Sequence, residues 1–160
     1  MLGVSEVPAS LPHDALPGAD WADAWRIQIS KPFGSAREAA QAVGKNFPRW
    51  TWPMLALRQI LVFPFGLKGS GPQGDRVSIF PVVSETGEQI VAGFNDRHLD
   101  FRIVVDLAEP AGKPGQSVTL TTVIRRHNLL GRIYLAAVMP FHRAIISSAL
   151  RRIGRARSHS

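Results

Sequence analysis

The longest helical pattern in the chain lies near its C-terminus, from His127 to Ile153. Apolar residues recur there at intervals of three and four positions, which is the spacing of one face of an α-helix. This predicted inner face contains Leu130, Ile133, Tyr134, Ala137, Val138, Phe141, Ile145, Ala149 and Ile153. The opposite side is polar and contains Arg132, Arg143, Ser147 and Arg151. A helix with so broad an apolar face needs a large apolar surface to pack on.

Before this helix the hydrophobic period changes to two, which is typical of β-strands. Strands are predicted at Val77–Val83, Gln89–Phe94, His98–Asp106 and Ser117–Arg126. The short connections between them predict an antiparallel meander. A register that pairs Asp106 with Ser117 would leave one face of the sheet dry and the other polar and solvated. The dry face would receive the C-terminal helix.

The N-terminal part of the chain begins with a Pro-rich, irregular lead-in over residues 1–20. Alternating apolar residues then predict a first strand at Trp21–Ile29. Ser35 and Glu38 have the spacing of a capping box, so a helix is expected to begin there. A second helix is predicted at Trp50–Val62.

The order of the predicted elements is one strand, two helices, a set of antiparallel strands and one long C-terminal helix. This order predicts an α+β domain with the helix-grip fold, in which a curved antiparallel sheet wraps around the last helix. A length of 160 residues is typical of a single domain. We assign residues 21–154 to this domain and expect residues 155–160 to form a frayed basic tail. Folds of this kind often hold a ligand cavity between sheet and helix.

Composition narrows the classes of function. The apolar fraction of 45% is enough for a real core, and the absence of cysteine excludes disulfides and thiolate catalysis. A net charge of +7 would suit nucleic acid, but no docking motif accompanies it, so no nucleic-acid partner is expected. The prolines near the N-terminus do not fit a signal peptide, and Arg132, His142 and Arg143 would be costly in a transmembrane helix. A cytoplasmic protein is therefore expected, with its oligomeric state left open.

Two stretches carry a resemblance to a known family. They are NDRHLDFR at residues 95–102 and TTVIRRHNLLGRIYLAAVMPFH at residues 121–142. They resemble the bacterial family called domain of unknown function 2867, in a His-Leu-Asp-Phe-Arg strand, a Gly-Arg-x-Tyr helix start and a Pro-Phe-His within the helix. The matching residues are His98, Leu99, Asp100, Phe101, Arg102, His127, Asn128, Gly131, Arg132, Tyr134, Pro140, Phe141 and His142. The family has no established activity, but the resemblance implies the architecture of the START-like superfamily, whose members bind lipids, polyketides or other apolar molecules.

Polar residues form two clusters near the predicted sheet. The first cluster contains His98, Asp100, Arg102, Arg125 and His127, on one face of two neighbouring strands. It suits either a cross-strand charge network or a site for an acidic group. The second cluster contains His127, Asn128, Arg132 and Tyr134 at the start of the last helix. Asn128 would cap the helix there. Alternatively, Arg132 and Tyr134 would hold the polar head of a ligand at the mouth of a cavity.

Pro140 and His142 stand in the middle of the predicted last helix. Pro140 removes the backbone hydrogen bond to the carbonyl of Ala136 and is expected to kink the helix. We interpret His142 as a core histidine whose partner is a backbone carbonyl freed by Pro140. Its alternative role is that of a general base facing a cavity.

These observations leave three hypotheses for function. The leading one is non-catalytic binding of a small apolar or amphiphilic molecule between the sheet and the last helix. Its candidate ligand-binding residues are Leu99, Phe101, Arg102, Ile103, Leu120, Arg132, Tyr134, Val138, Phe141 and His142. The second is a cyclase- or hydrolase-like enzyme that uses His142 or His127 as general base, and the third is a protein-interaction module that presents its tryptophans. No catalytic residue, metal site or cofactor is assigned, because the histidines lack metal-ligand spacing and no serine has an evident base.

Overall fold

The structure, a computed structural model, describes residues 4–9, 15–46, 76–77, 80–95, 99–109 and 115–158. The strands in these ranges are β1 (Ser5–Val7), β2 (Trp21–Ile29), β3 (Arg76–Val77), β4 (Phe80–Glu85), β5 (Gln89–Asn95), β6 (Leu99–Ala108) and β7 (Gln116–Arg126). The helices are α1 (Ala36–Lys45) and α2 (Leu129–Ser158). The predicted helix at Trp50–Val62 lies outside the described residues, as does His98.

The strands form one antiparallel sheet in the order β1-β2-β7-β6-β5-β4-β3. From β4 to β7 each strand pairs with the next one along the chain, so the predicted meander is confirmed. Its first predicted strand, Val77–Val83, is instead divided between β3 and β4, which pair with each other. Strand β2 joins the free edge of β7 over its whole length. This arrangement, with α1 and α2 on the sheet, confirms the α+β class that the order of elements predicted.

The register between β6 and β7 differs from the predicted one by two residues. Asp106 pairs with Thr119 and not with Ser117, and Ile103 pairs with Thr122 and not with Leu120. A shift of two positions keeps every side chain on its predicted face, because the side-chain period of a strand is two. The faces were therefore predicted correctly although the register was wrong.

The face of the sheet that was expected to be solvated is buried at its centre. Val104 and Val123 are 0% exposed there, and Thr121 and Val91 are also buried. The prediction of one dry and one solvated face is thus wrong for the middle of the sheet. The charged residues of this face lie towards its ends, where Asp100 and Arg102 are half-buried.

Helix α1 begins as the capping box predicted. The Ser35 hydroxyl accepts a hydrogen bond from the backbone N–H of Glu38 at 3.2 Å, and the Glu38 carboxylate reaches back to the N–H of Gly34 at 3.0 Å. The buried face of α1 contains Ala36, Ala39, Ala40 and Val43. These small side chains let the helix lie close to the sheet and to α2 in one shared core.

The C-terminal half of α2 packs in the main core. Ile146, Ala149, Leu150 and Ile153 are buried there against Ile27, Val118 and Leu120 of the sheet. Gly154 faces Ile27 so closely that any added Cβ would collide with the Ile27 side chain. A larger residue at 154 would force either the Ile27 side chain or the helix to move.

Helix α2 extends to Ser158, which differs from the frayed end expected after residue 154. The carbonyl of Arg157 accepts hydrogen bonds from the N–H groups of Ser30 and Lys31, each at 3.0 Å. Its guanidinium lies 3.7 Å from the ring centroid of Phe33 and pairs with Glu38 at 3.2 Å. The last turn is therefore fastened to the segment that joins β2 to α1.

The first half of α2 is rotated relative to the predicted inner face. Ile133 and Phe141 were expected to be buried, but they are 56% and 47% exposed. The inward positions are Leu135, Met139, His142 and Ile146. This part of the helix is apolar on nearly all sides, so its hydrophobic pattern does not select a face.

Candidate functional site

A buried carboxylate lies on the face of the sheet that α2 covers. Asp23 of β2 is 7% exposed, and its carboxylate oxygens lie 3.2 and 3.3 Å from Nε2 of His142 on α2. The indole N–H of Trp25 donates a further hydrogen bond to this carboxylate at 3.1 Å. Asp23 is therefore held by two donors from two different elements.

The fold brings this pair together from distant parts of the sequence. Asp23 lies two positions from both Trp21 and Trp25 along β2, so the three side chains share the face of the sheet that α2 covers. His142 lies one helical turn before the buried Ile146 and faces the same side. The His142 ring meets the ring of Trp21 edge to face, with the centroids 6.0 Å apart. A neutral imidazole that donates from Nε2 to Asp23 keeps Nδ1 as a hydrogen-bond acceptor.

Thr122 of β7 lies directly beside Asp23, as its partner in the β2–β7 register. Its residue is 1% exposed, and its hydroxyl has no hydrogen-bond partner among the residues that the structure describes. Buried side-chain polar atoms in folded proteins are nearly always paired, so this hydroxyl needs an explanation. Thr122 is therefore a second buried polar residue directly beside Asp23.

On the face of the sheet that α2 covers, Asp23 and Thr122 lie between two apolar clusters. On one side lies the main core, which holds Leu120 and Val105. On the other side lies a smaller cluster in which Ile124 and Leu135 are buried and Trp21, Phe101 and Met139 are only partly buried. Asp23, Thr122 and His142 thus sit at the boundary between a filled core and an incompletely covered apolar surface. We call these three residues the inner polar site.

A second His–Asp pair lies on the opposite face of the sheet. His127 Nε2 is 2.9 Å from a carboxylate oxygen of Asp100, and the two side chains are 30% and 13% exposed. Arg102 is on the same face and donates from its NH1 group to the carbonyl of Phe101 at 2.8 Å. Its Nε is buried without a partner among the described residues, and burial lowers the pKa of this guanidinium while Asp100 opposes that shift. Of the predicted cross-strand network on this face, the His127–Asp100 pair is present among the described residues.

The structure separates the predicted ligand-binding residues. Phe101, Ile103 and Leu120 face α2, and Arg102 points to the other side of the sheet, so Arg102 cannot share a site with them. Arg132 is exposed on α2, in the turn after Asn128, whose carbonyl accepts the backbone hydrogen bond of Arg132 at 3.2 Å. The side chains of Leu99, Tyr134 and Val138 lie outside the described residues.

The sequence interpretation missed two members of the inner polar site and mistook the partner of the third. His142 was expected to bond to a backbone carbonyl, but it bonds to the Asp23 carboxylate. Asp23 was detectable, since the alternation at Trp25 and Ile27 continues backwards through it and makes it a lone charge on an apolar face. Thr122 was detectable in the same way, since alternation along β7 places it on the apolar face with Leu120 and Ile124.

No helix among the described residues is long and apolar enough to cross a membrane.

The comparisons with known proteins give one match. Searches of curated proteins and of solved structures found nothing similar to this chain. A family model described as "Protein of unknown function (DUF2867)" matches residues 15–149, a range that includes the inner polar site. Because this match covers well over half of the chain, the protein belongs to the DUF2867 family, as its motifs predicted.

Proposed function

We propose that this protein binds a small amphiphilic molecule between the sheet and α2, with the polar end of the molecule at the inner polar site. The observation that supports this most directly is the Thr122 hydroxyl, which is buried without a partner beside the Asp23–His142 pair. Leaving such a hydroxyl unpaired costs about 1–3 kcal/mol. A ligand that hydrogen-bonds to it would recover this cost on binding.

The charge at the site limits the polar end of the ligand. Asp23 places a carboxylate next to the Thr122 hydroxyl, and an anionic group brought there would be repelled. A neutral hydroxyl, carbonyl or amide suits the site, since Thr122 donates or accepts and His142 offers a ring nitrogen. We therefore expect an alcohol, ketone, ester or amide as the polar end, and not a free fatty acid.

The apolar part of the ligand would lie along the smaller cluster. Trp21, Phe101 and Met139 are only partly buried there and keep apolar surface available next to His142. Methionine and aromatic side chains adapt well to apolar ligands of variable shape. The helix-grip fold, which we assign as the closest description of this α+β arrangement, has its ligand space in the same place, between sheet and last helix.

A Thr122→Val substitution tests the proposal through two measurements, because it should increase stability and abolish ligand binding. Valine has nearly the same shape and removes the unpaired hydroxyl, so the free energy of unfolding should rise by about 1 kcal/mol. The same variant should lose an amphiphile that co-purifies with the wild type, as read by native mass spectrometry of protein purified from its own host and identification of what denaturation releases. Thr121→Val, on the other face of the sheet, is the matched control and should retain the molecule. A clean apo mass for the wild type, together with an experimental structure in which side chains fill the space, would overturn the proposal.

A second candidate function is acid–base catalysis at the same site. The observation that favours it is the bond from His142 Nε2 to a buried carboxylate, an arrangement that orients an imidazole so that Nδ1 can accept a proton. In a hydrolase-like reaction, His142 would take a proton from a water molecule that attacks an ester carbonyl, and would return it to the leaving alcohol oxygen as the C–O bond breaks. Asp23 would hold the ring and stabilise the imidazolium that forms.

Hydrolysis of p-nitrophenyl butyrate separates catalysis from binding alone. If His142 is a general base, His142→Gln should reduce kcat/KM by about a hundredfold or more, and His127→Gln at the exposed pair should leave it unchanged. The release of p-nitrophenol is followed by absorbance, with a fold check by circular dichroism. Equal rates in the wild type and in His142→Gln would leave only the binding function.

A further inference from the structure

The side of α2 that faces away from the sheet presents an apolar ridge. Leu129 and Ile133 are 70% and 56% exposed, which is unusual for two large aliphatic residues one turn apart. The remaining exposed apolar residues of this ridge are Ala136, Ala137, Pro140, Phe141 and Ala144. Because this ridge stands on the solvent side of the helix, the core of the protein does not account for it.

The same helix is strongly cationic. Its sequence contains six arginines and no acidic residue. Two of them are paired, Arg143 with Glu6 and Arg157 with Glu38. The other four are Arg132, Arg151, Arg152 and Arg155, which are exposed and form no ion pair with any residue that the structure describes. The helix therefore offers unneutralised positive charge beside exposed apolar surface.

Helical geometry places the two features in one line. Positions 133, 137, 140, 144, 147, 151 and 155 follow one another at intervals of three and four, so they share one face. The line is apolar from Ile133 to Ala144 and ends in Arg151 and Arg155. It spans about 33 Å at 1.5 Å per residue. This face combines two contacts by which peripheral proteins bind anionic membranes, namely insertion of apolar side chains and attraction of arginines to lipid phosphates.

Two other occupants fit this face less well. A second copy of the chain would bring arginine-rich helices together without any acidic residue on either of them, which is unfavourable. A partner with a helix-binding groove would need to surround α2, but the opposite side of the helix is buried on the sheet through Leu135, Ile146 and Leu150. A flat anionic surface meets neither difficulty. We infer that the exposed face of α2 docks on an anionic lipid surface, with Leu129 and Ile133 inserted and the arginines at the phosphates.

Vesicle flotation of the full chain tests this inference. We expect the protein to float with vesicles of phosphatidylcholine that contain about 30 mol% phosphatidylglycerol, and to bind pure phosphatidylcholine vesicles about tenfold less or weaker. Binding should fall as salt increases, because the arginine contribution is electrostatic. Equal binding to both vesicle types, or no binding to either, would refute the inference.

Matched variants distinguish vesicle binding by this face from non-specific hydrophobic binding and from an effect of net charge. Leu129→Glu with Ile133→Glu should reduce binding to the anionic vesicles by about tenfold or more, and Val83→Glu, a 52% exposed residue of β4, should not. Arg151→Glu with Arg155→Glu should weaken binding more than Lys31→Glu with Lys45→Glu, which changes the net charge equally elsewhere. Loss of self-association in the Leu129/Ile133 variant, without any vesicle binding by the wild type, would assign the ridge to a second copy of the chain and overturn the inference.

Discussion

Replacing His142 with alanine is expected to lower the free energy of unfolding by about 3 kcal/mol, because it removes a hydrogen-bond donor from a buried carboxylate and leaves a cavity in its place. Asp23 is 7% exposed, and the Trp25 indole at 3.1 Å would be its remaining hydrogen-bond donor among the described residues. Urea unfolding followed by circular dichroism measures the effect as a shift in the midpoint at unchanged slope. Helix α2 would also lose the polar contact that joins its turn at residue 142 to Asp23 of β2.

Two further variants determine what the Asp23–His142 pair contributes. His127→Ala removes a similar pair at a more exposed site and should cost about 1 kcal/mol or less. Replacing both Asp23 and His142 with leucine should restore most of the stability, because replacing both partners of a buried hydrogen bond with apolar groups is often nearly neutral. If the single His142→Ala variant were as stable as His127→Ala, the pair would not be the buried interaction described above. A stable double-leucine variant that no longer binds or reacts would assign the pair to function.

Replacing Gly93 with alanine is expected to cost about 3 kcal/mol, from backbone strain together with overpacking. Gly93 of β5 has a φ of 154°, and an added Cβ would collide with the backbone carbonyl of Phe101 on β6. The obstacle is backbone and not a flexible side chain, so the two strands would have to separate locally. Thermal unfolding measures the loss, and hydrogen exchange of the β6 amides shows whether it is local.

Gly87 provides the matched control for this substitution. It lies between β4 and β5, and an added Cβ there meets no heavy atom within 4 Å. Gly87→Ala should therefore change the free energy of unfolding by about 0.5 kcal/mol or less. Equal losses in both variants would mean that the cost is a general one of removing glycine, unrelated to the approach of β6.

The fold was largely predictable because its strongest signals are periodic. The alternation identified β2 and the strands of the meander, and the spacing of Ser35 and Glu38 identified the start of α1. The prediction of an irregular lead-in over residues 1–20 was wrong at Ser5–Val7, which form β1 and pair with β2. The register of β6 on β7 was not predictable, since a shift of two residues buries the same side chains. Alternation determines which face a residue occupies, and only the packing of the whole sheet determines which residue it meets.

The candidate site was only half predictable for a related reason. His142 attracted attention as a histidine within an apolar helix, but its partner lies in the first long strand and no local pattern links the two. The rotation of α2 was similarly hidden, because Ile133 and Phe141 are as apolar as the residues that became buried. The polar contact with Asp23 selects among faces that hydrophobicity alone leaves equivalent.

The position of β2 in the sheet has a consequence for the order of folding. Strand β2 pairs with β7, and their contacting residues Arg26 and Thr119 are 93 positions apart. The hairpins from β4 to β7 close short loops and can form early, whereas β2 must await the synthesis of nearly the entire chain. Asp23 and His142 are 119 positions apart, so their contact belongs to the final docking step. A partly folded intermediate would consequently contain much of the sheet and lack the inner polar site altogether.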